Sequence, residues 1–278
     1  MPTGRALAIG LNSVDPGHYA GWSGNLNACE ADALSMAAIA GNRGFDEVNT
    51  LITRSATREQ VQNEIRAAAE DLQSGDLFML SYSGHGGQLP DMNDDEPDAM
   101  DETWCLYDGE MIDDEVYGLL ANFVENVRVL VLSDSCHSGS VVKEAYFAGT
   151  MSTRGQTPSS PTPTYRAMSP DAALQTYRLN SDFYQQIQSS TLRSERDSVA
   201  ASVLLISGCQ DNQLSADGIF NGLFTGQMLQ VWKQGLFDGP YEKFHREIVR
   251  RMPPDQTPNY FRAGQIALDF EAQQPFTV

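Results

Sequence analysis

At 278 residues the chain can bury a substantial core and is near the upper size for one domain. A formal charge of −19 repels phosphate, so nucleic acid is excluded as an expected partner and basic ligands are favoured. No apolar run approaches the roughly eighteen residues of a membrane span, and the first ten residues lack a secretory pattern. The four cysteines (29, 105, 136 and 209) form no Cys-x-x-Cys pair, so a reducing, cytoplasmic setting is expected.

In chain order, Arg5 to Asn12 reads as a buried strand, followed by a polar loop from Ser13 to Asn27 and a helix over Ala28 to Ala40, closed by Gly41 and Gly44. Val48 to Ile52 is a short second strand. Thr57-Arg58-Glu59-Gln60 matches a capping box and opens a helix to about Leu72. Leu77 to Ser83 is an apolar strand that runs out into Gly84-His85-Gly86-Gly87.

The acidic run from Asp91 to Glu102 cannot form a core element and predicts a solvated loop or an ion site. Trp104 to Tyr107 and Glu110 to Ile112 predict a hairpin around Asp108-Gly109, with Asp113-Asp114 capping a helix to about Phe123. A second apolar strand, Val127 to Leu132, delivers Asp134-Ser135-Cys136-His137-Ser138-Gly139.

Ala148 to Thr164 lacks a hydrophobic period and predicts a mobile loop extending towards Met168, and 170–198 has some helical character but weak amphipathicity. Ser202 to Gly208 is another buried strand, Phe224 to Trp232 and Tyr241 to Met252 are amphipathic helices, and Gln265 to Leu268 is a final edge strand. This alternation predicts an α/β fold in one domain, a mostly parallel sheet with helices on both faces.

The two strand ends carry the chemistry. A cysteine attacks a carbonyl as its thiolate, and needs a base within reach and backbone N–H groups facing the oxyanion. Cys136 is the candidate nucleophile and His85 the base, with the N–H groups of Gly86 and Cys136 as oxyanion donors. His137 points away from its neighbour on an extended segment, His18 lies in a loop and His245 on a helix. A Cys-x₅-Arg phosphatase loop fails at Val142, and neither a Gly-x-Ser-x-Gly elbow nor a glycine-rich phosphate loop is present.

Ser83-Gly84-His85-Gly86 followed by Asp134-Ser135-Cys136-His137-Ser138-Gly139 resembles the catalytic signature of metacaspases and orthocaspases, caspase-like cysteine peptidases. Asn27 to Asp32 resembles the segment after that family's first strand, and Ser207 to Gly218 its small-subunit segment. The resemblance covers nearly the whole chain. It implies a three-layer sandwich with a large-subunit-like region over 1–147, a linker over 148–200 and a small-subunit-like region over 201–278.

It further implies cleavage of proteins or peptides after arginine or lysine, with Cys29, Asp32, Ser83 and Asp134 lining the pocket for that residue. No cofactor is required; calcium, if it acts, would bind Asp101, Asp113 and Asp114, although Lys143-Glu144 stands where calcium-dependent members place an acidic ligand. The linker arginines Arg154 and Arg166 are the expected cleavage points, cut by the enzyme itself or by an upstream activating protease. The competing readings are a catalytically silent caspase-like scaffold and a cysteine hydrolase of a non-peptide acyl group.

Overall fold

The computed structural model describes residues 1–90, 100–135, 164–190, 199–209, 213, 215–218, 220–265 and 267–278. The elements in chain order are β1 (Gly4–Gly10), α1 (Cys29–Asn42), β2 (Glu47–Ile52), α2 (Arg58–Asp71), β3 (Leu77–Ser83), β4 (Gly86–Pro90), β5 (Met100–Leu106) and β6 (Gly109–Ile112). They continue with α3 (Asp113–Leu120), β7 (Arg128–Asp134), α4 (Pro170–Leu179), α5 (Ser181–Ser190), β8 (Ser202–Ser207), α6 (Leu223–Trp232), α7 (Tyr241–Val249), β9 (Asn259–Gly264) and α8 (Leu268–Ala272).

The main sheet has six strands in the order β2-β1-β3-β7-β8-β9, with every pair parallel except β8 with β9. Every residue of β1 and β3 is buried, as continuous apolar runs in a sheet covered on both faces require. Alternation sorts their side chains between two cores. Leu7, Ile9, Phe78, Leu80, Val129 and Val131 pack with Val61 and Ile65 of α2. Ala6, Ala8, Met79, Leu130 and Leu132 pack with Ala33 and Met36 of α1 and with Phe224, Met228 and Phe244 of α6 and α7. Thr57 caps α2 as expected, its hydroxyl accepting from the Gln60 N–H at 3.3 Å.

Three local expectations need correction. The glycine-rich stretch after His85 is a strand, β4, which pairs with β5 and β6 in a separate three-stranded antiparallel sheet. Asp101 and Glu102 therefore belong to β5, and only the earlier part of the acidic run, 91–99, lies outside the described residues. The helical character expected after Met168 is borne out by α4 and α5, with Ser169 as N-cap and Pro170 at the first helical position, a pairing of cap and fixed φ that favours a helix start. The last strand is Asn259–Gly264; Leu268 opens a helix instead. The register of β9 on β8 decides this, with Ser207 opposite Asn259 and Ser202 opposite Gly264.

Among the described residues, no helix is long and apolar enough to cross a membrane.

Candidate active site

Parallel pairing assembles the site at the carboxyl ends of the strands, where open α/β sheets bind ligands. In register, Gly10 stands opposite Ser83, and Ser83 opposite Asp134. Side chains alternate along β7, so Asp134 shares the face of Leu130 and Leu132, which α1 covers. Asp32, in the first turn of α1, comes down onto the same place and is 1% exposed. Cys29, the first residue of α1, lies beside Ser83, and burial raises its thiol to about 12. The four pocket residues expected from the sequence thus meet in one buried spot.

That spot is filled by the chain's own Arg166, which is fully buried. One terminal nitrogen of its guanidinium donates to Ser83 Oγ at 2.8 Å and pairs with Asp134 Oδ2 at 2.9 Å. The other meets Asp32 Oδ2 at 2.7 Å and Asp217 Oδ1 at 3.0 Å, while Nε reaches Asp217 Oδ1 at 3.4 Å. Burial opposes a charge here, but Asp134, Asp32 and Asp217 outweigh it and hold the guanidinium well above the usual arginine range. The Asp32 carboxyl is pushed up by burial, against the pull of Arg166. Charge-assisted contacts fanned over three nitrogens suit a guanidinium better than an ammonium.

The carboxylates are themselves anchored. Asp32 accepts from Ser83 Oγ at 2.8 Å, Asn221 Nδ2 at 2.8 Å and the Gly222 N–H at 3.1 Å. Asp134 accepts from Ser215 Oγ and Thr225 Oγ1, both at 2.7 Å. Gly222 must be small, because a Cβ there would lie 2.5 Å from the guanidinium carbon. Asp217, Ser215, Asn221, Gly222 and Thr225 carry no role by sequence pattern alone. The available signal was a third acidic residue inside Ser215-Ala216-Asp217-Gly218, a segment noted for its resemblance alone.

The backbone around Arg166 is held as an extended peptide. The Arg166 N–H donates to Ser215 O at 2.9 Å and the Asp217 N–H to Thr164 O at 2.8 Å, on one side of the segment. On the other side the Gly86 N–H donates to the Arg166 carbonyl at 3.0 Å, and the Met168 N–H donates to Gly86 O at 2.9 Å. The group expected to face an oxyanion therefore already faces the carbonyl that follows a buried arginine. The linker's described end is thus firmly docked where a mobile loop was expected; Arg154 lies outside the described residues.

His85 is 5% exposed, packed against Trp22 with ring centroids 4.7 Å apart. Its Nε2 meets the Gly24 carbonyl at 2.9 Å, and its Nδ1 has no hydrogen-bond partner among the described residues. Burial pulls the imidazole down to about 4, against the backbone of Gly24 and Ala167, so it is neutral near pH 7. Cys136 lies outside the described residues.

Behind the oxyanion strand, Glu110 of β6 is fully buried and accepts from Thr103 Oγ1 at 2.6 Å, while its Oε1 has no partner among the described residues. Burial raises its carboxyl from 4.5 to about 7, against the Thr103 hydrogen bond. The folded chain therefore keeps a proton that the unfolded chain has released. Stability should fall as pH rises through that window, by on the order of 3 kcal/mol in all. Urea denaturation of Glu110→Gln, whose amide stays neutral, should show no such fall; an unchanged slope would place the titration elsewhere.

Asp101 is buried in β5 and accepts from Gln188 Nε2 at 2.8 Å, while Asp113 and Asp114 open α3. Among the described residues, no group of three or more His, Cys, Asp or Glu side chains is placed to hold a metal ion, so the expected calcium ligands do not form a set there.

A family profile for the caspase domain matches residues 3–268. Metacaspase-1 of Kluyveromyces lactis is 28% identical over 97% of this chain and 67% of its own length. Metacaspase-1 of Saccharomyces cerevisiae is 31% identical over 95% of this chain and 66% of its own, so the chain spans about two thirds of the length of these curated relatives. Among solved structures, protein GSU0716 from Geobacter sulfurreducens is 60% identical with a TM-score of 0.90, covering 100% of this chain and 99% of that one. Caspase-1 from Spodoptera frugiperda shares the fold, with a TM-score of 0.53, 10% identity and coverage of 95% of this chain and 87% of that one.

Proposed function

Because the chain belongs to the caspase-domain family of cysteine peptidases, we propose that it cleaves peptide bonds after arginine or lysine through a Cys136–His85 dyad and an acyl-enzyme. The observation that carries the specificity is Arg166, a guanidinium held by three carboxylates with its own carbonyl on the Gly86 N–H. A substrate arginine bound in its place would present the same carbonyl to attack.

In this mechanism His85 Nδ1 takes the thiol proton and the Cys136 thiolate adds to the carbonyl carbon. The oxyanion forms against the N–H groups of Gly86 and Cys136. Collapse expels the amine, which leaves with the proton from His85, and water then attacks the thioester with His85 again as base. Asp32, Asp134 and Asp217 act only on position, but without a cation three buried carboxylates repel one another, which favours entry of a basic side chain.

The same contacts make the intact linker a block: substrate cannot enter until residues 164–168 leave. We read the linker as the point of control, opened by self-cleavage or by an upstream protease at Arg154 or Arg166. No step passes through calcium. Calorimetric calcium uptake that disappears in Asp113→Asn would give the ion a role.

The test is hydrolysis of arginine, lysine and citrulline coumarin amides by the purified chain before and after the linker is cut. Citrulline keeps the shape of arginine without its charge and should be turned over at least about 100-fold more slowly, since a desolvated charge pair is worth about 2–5 kcal/mol. Asp32→Asn and Asp134→Asn should raise KM for the arginine amide and narrow that gap. Equal rates for arginine and citrulline would end the proposal of basic specificity.

A further inference from the structure

Two residues beyond Arg166, the chain enters a second pocket. Both sides of Gly86 fix the register: its N–H holds the Arg166 carbonyl at 3.0 Å and its carbonyl holds the Met168 N–H at 2.9 Å. An extended peptide bound through the first contact must present its second following residue at the place of Met168. The Met168 side chain is 3% exposed and packs against Val14, Tyr19 and Cys105, with Trp22 at the edge. Space for its end comes from Gly87, where a Cβ would lie 2.8 Å from the Met168 methyl carbon.

The walls come from the body of the domain: Val14 and Tyr19 from the loop after β1, Gly87 from β4 and Cys105 from β5. Only Ala172 and Ala173, at its margin, belong to the linker side. When the linker departs, an apolar hollow is left open beside the oxyanion strand. Tyr19 already donates its hydroxyl to Leu106 O at 2.7 Å, so the hollow offers that group to no newcomer. Glu110 lies directly behind Gly87, its Oε2 2.5 Å from where a Cβ would stand, and the apolar walls disfavour an anionic side chain, which would have to shed its water to enter.

We propose that the Val14, Tyr19, Cys105 and Gly87 hollow is a substrate subsite for the second residue after the cleaved bond, selecting a long, flexible apolar side chain such as methionine or leucine. It rests on the reading that Arg166 is bound as a substrate arginine would be. A thioether with three rotatable bonds fills an irregular hollow well, and a side chain cut back to a methyl forfeits most of that contact.

The test uses the full chain carrying Arg166→Ala and Met168→Ala, which empties both pockets, and fluorescence-quenched peptides with Tyr-Arg-Ala-X at the cut site. With X as methionine or leucine, kcat/KM should exceed that with alanine by about tenfold or more, the range a few methylenes are worth in an apolar pocket. Aspartate should be slower again by a similar factor. An arginine coumarin amide, which has no second following residue, reports the function alone. If it is hydrolysed while methionine, alanine and aspartate peptides are cut equally, the subsite is refuted and the peptidase reading stands. If neither it nor any peptide is turned over, both fall. Should the double variant fail to fold, the wild-type chain with its linker opened is assayed with the same peptides and read the same way.

Discussion

Replacing Arg166 with alanine should raise hydrolysis of an arginine coumarin amide by the intact chain at least about 100-fold, because a tethered competitor acts at an effective concentration of about millimolar or above. Arg166 is 0% exposed, and its removal leaves Asp32, Asp134 and Asp217 without their cation. Breaking a buried ion pair from one side costs about 3–5 kcal/mol. That cost falls on the docked state of the segment, because the cores on either side of the sheet contain none of these residues. Arg166→Lys should sit between the two, since an ammonium cannot span Ser83, Asp32 and Asp217 together. The measurement is kcat/KM with hydrogen exchange over 164–168 as its companion. A variant whose segment exchanges freely but whose turnover matches the wild type would show that the segment guards nothing.

Cys136→Ala is the largest loss expected, about a 10⁶-fold drop in kcat, because removing a nucleophile removes the route and not one contact along it. Binding of an arginine peptide should survive the loss of Cys136 once Arg166→Ala has emptied the pocket, which is built by other residues, and fluorescence anisotropy on the double variant would show it. Residual turnover near the wild-type rate would refute the dyad. His85→Ala should come close to the same loss. The pH behaviour follows from its burial, which pulls the imidazole down to about 4 from an ordinary 6.5. A lowered value means the folded chain binds fewer protons than the unfolded one, so the stability this histidine contributes is fully present above 6.5 and is lost as pH falls from there towards 4. Urea denaturation between those pH values should show that loss in the wild type and not in His85→Ala.

The parallel strands of the main sheet, the Thr57 cap and the two chemical strand ends were legible because each is a local pattern: an apolar run, a Thr57 to Gln60 spacing, a histidine or an acidic residue where a run stops. The expected Asp113-Asp114 cap was not, since both residues lie inside the helix and Ile112 precedes it. The convergence of Asp32, Ser83 and Asp134 was legible through family resemblance, and its physical basis is the in-register pairing of β3 with β7 beneath α1. What stayed hidden depends on distant partners. Asp217 reads as one acid among 37 Asp and Glu until Arg166, 51 positions away, lies against it. β4 opens on two glycines and ends on a proline, residues of low strand propensity, and is ordered by pairing with β5. α4 and α5 are amphipathic but bury little, with Thr176 and Tyr184 as their buried side chains; α5 is pinned by Tyr184, whose hydroxyl meets His18 Nε2 at 2.7 Å, and by Gln188, which bonds Pro90 O at 2.6 Å.

The helix pair just beyond Met168 gives any cut after Arg166 an unusual kinetic character. Only Ser169, the N-cap, separates Met168 from α4, so the new amino terminus at Ala167 would remain fastened to a folded unit. The amine would wait beside the thioester it had just left, and aminolysis, the reverse of acylation, would compete with water at every encounter. Severing the chain and freeing the enzyme then become separate events. The pace of the second is set by how often α4 and α5 lift from the domain, so a nicked protein can remain silent, its two ends rejoined and reopened many times before it works on anything else.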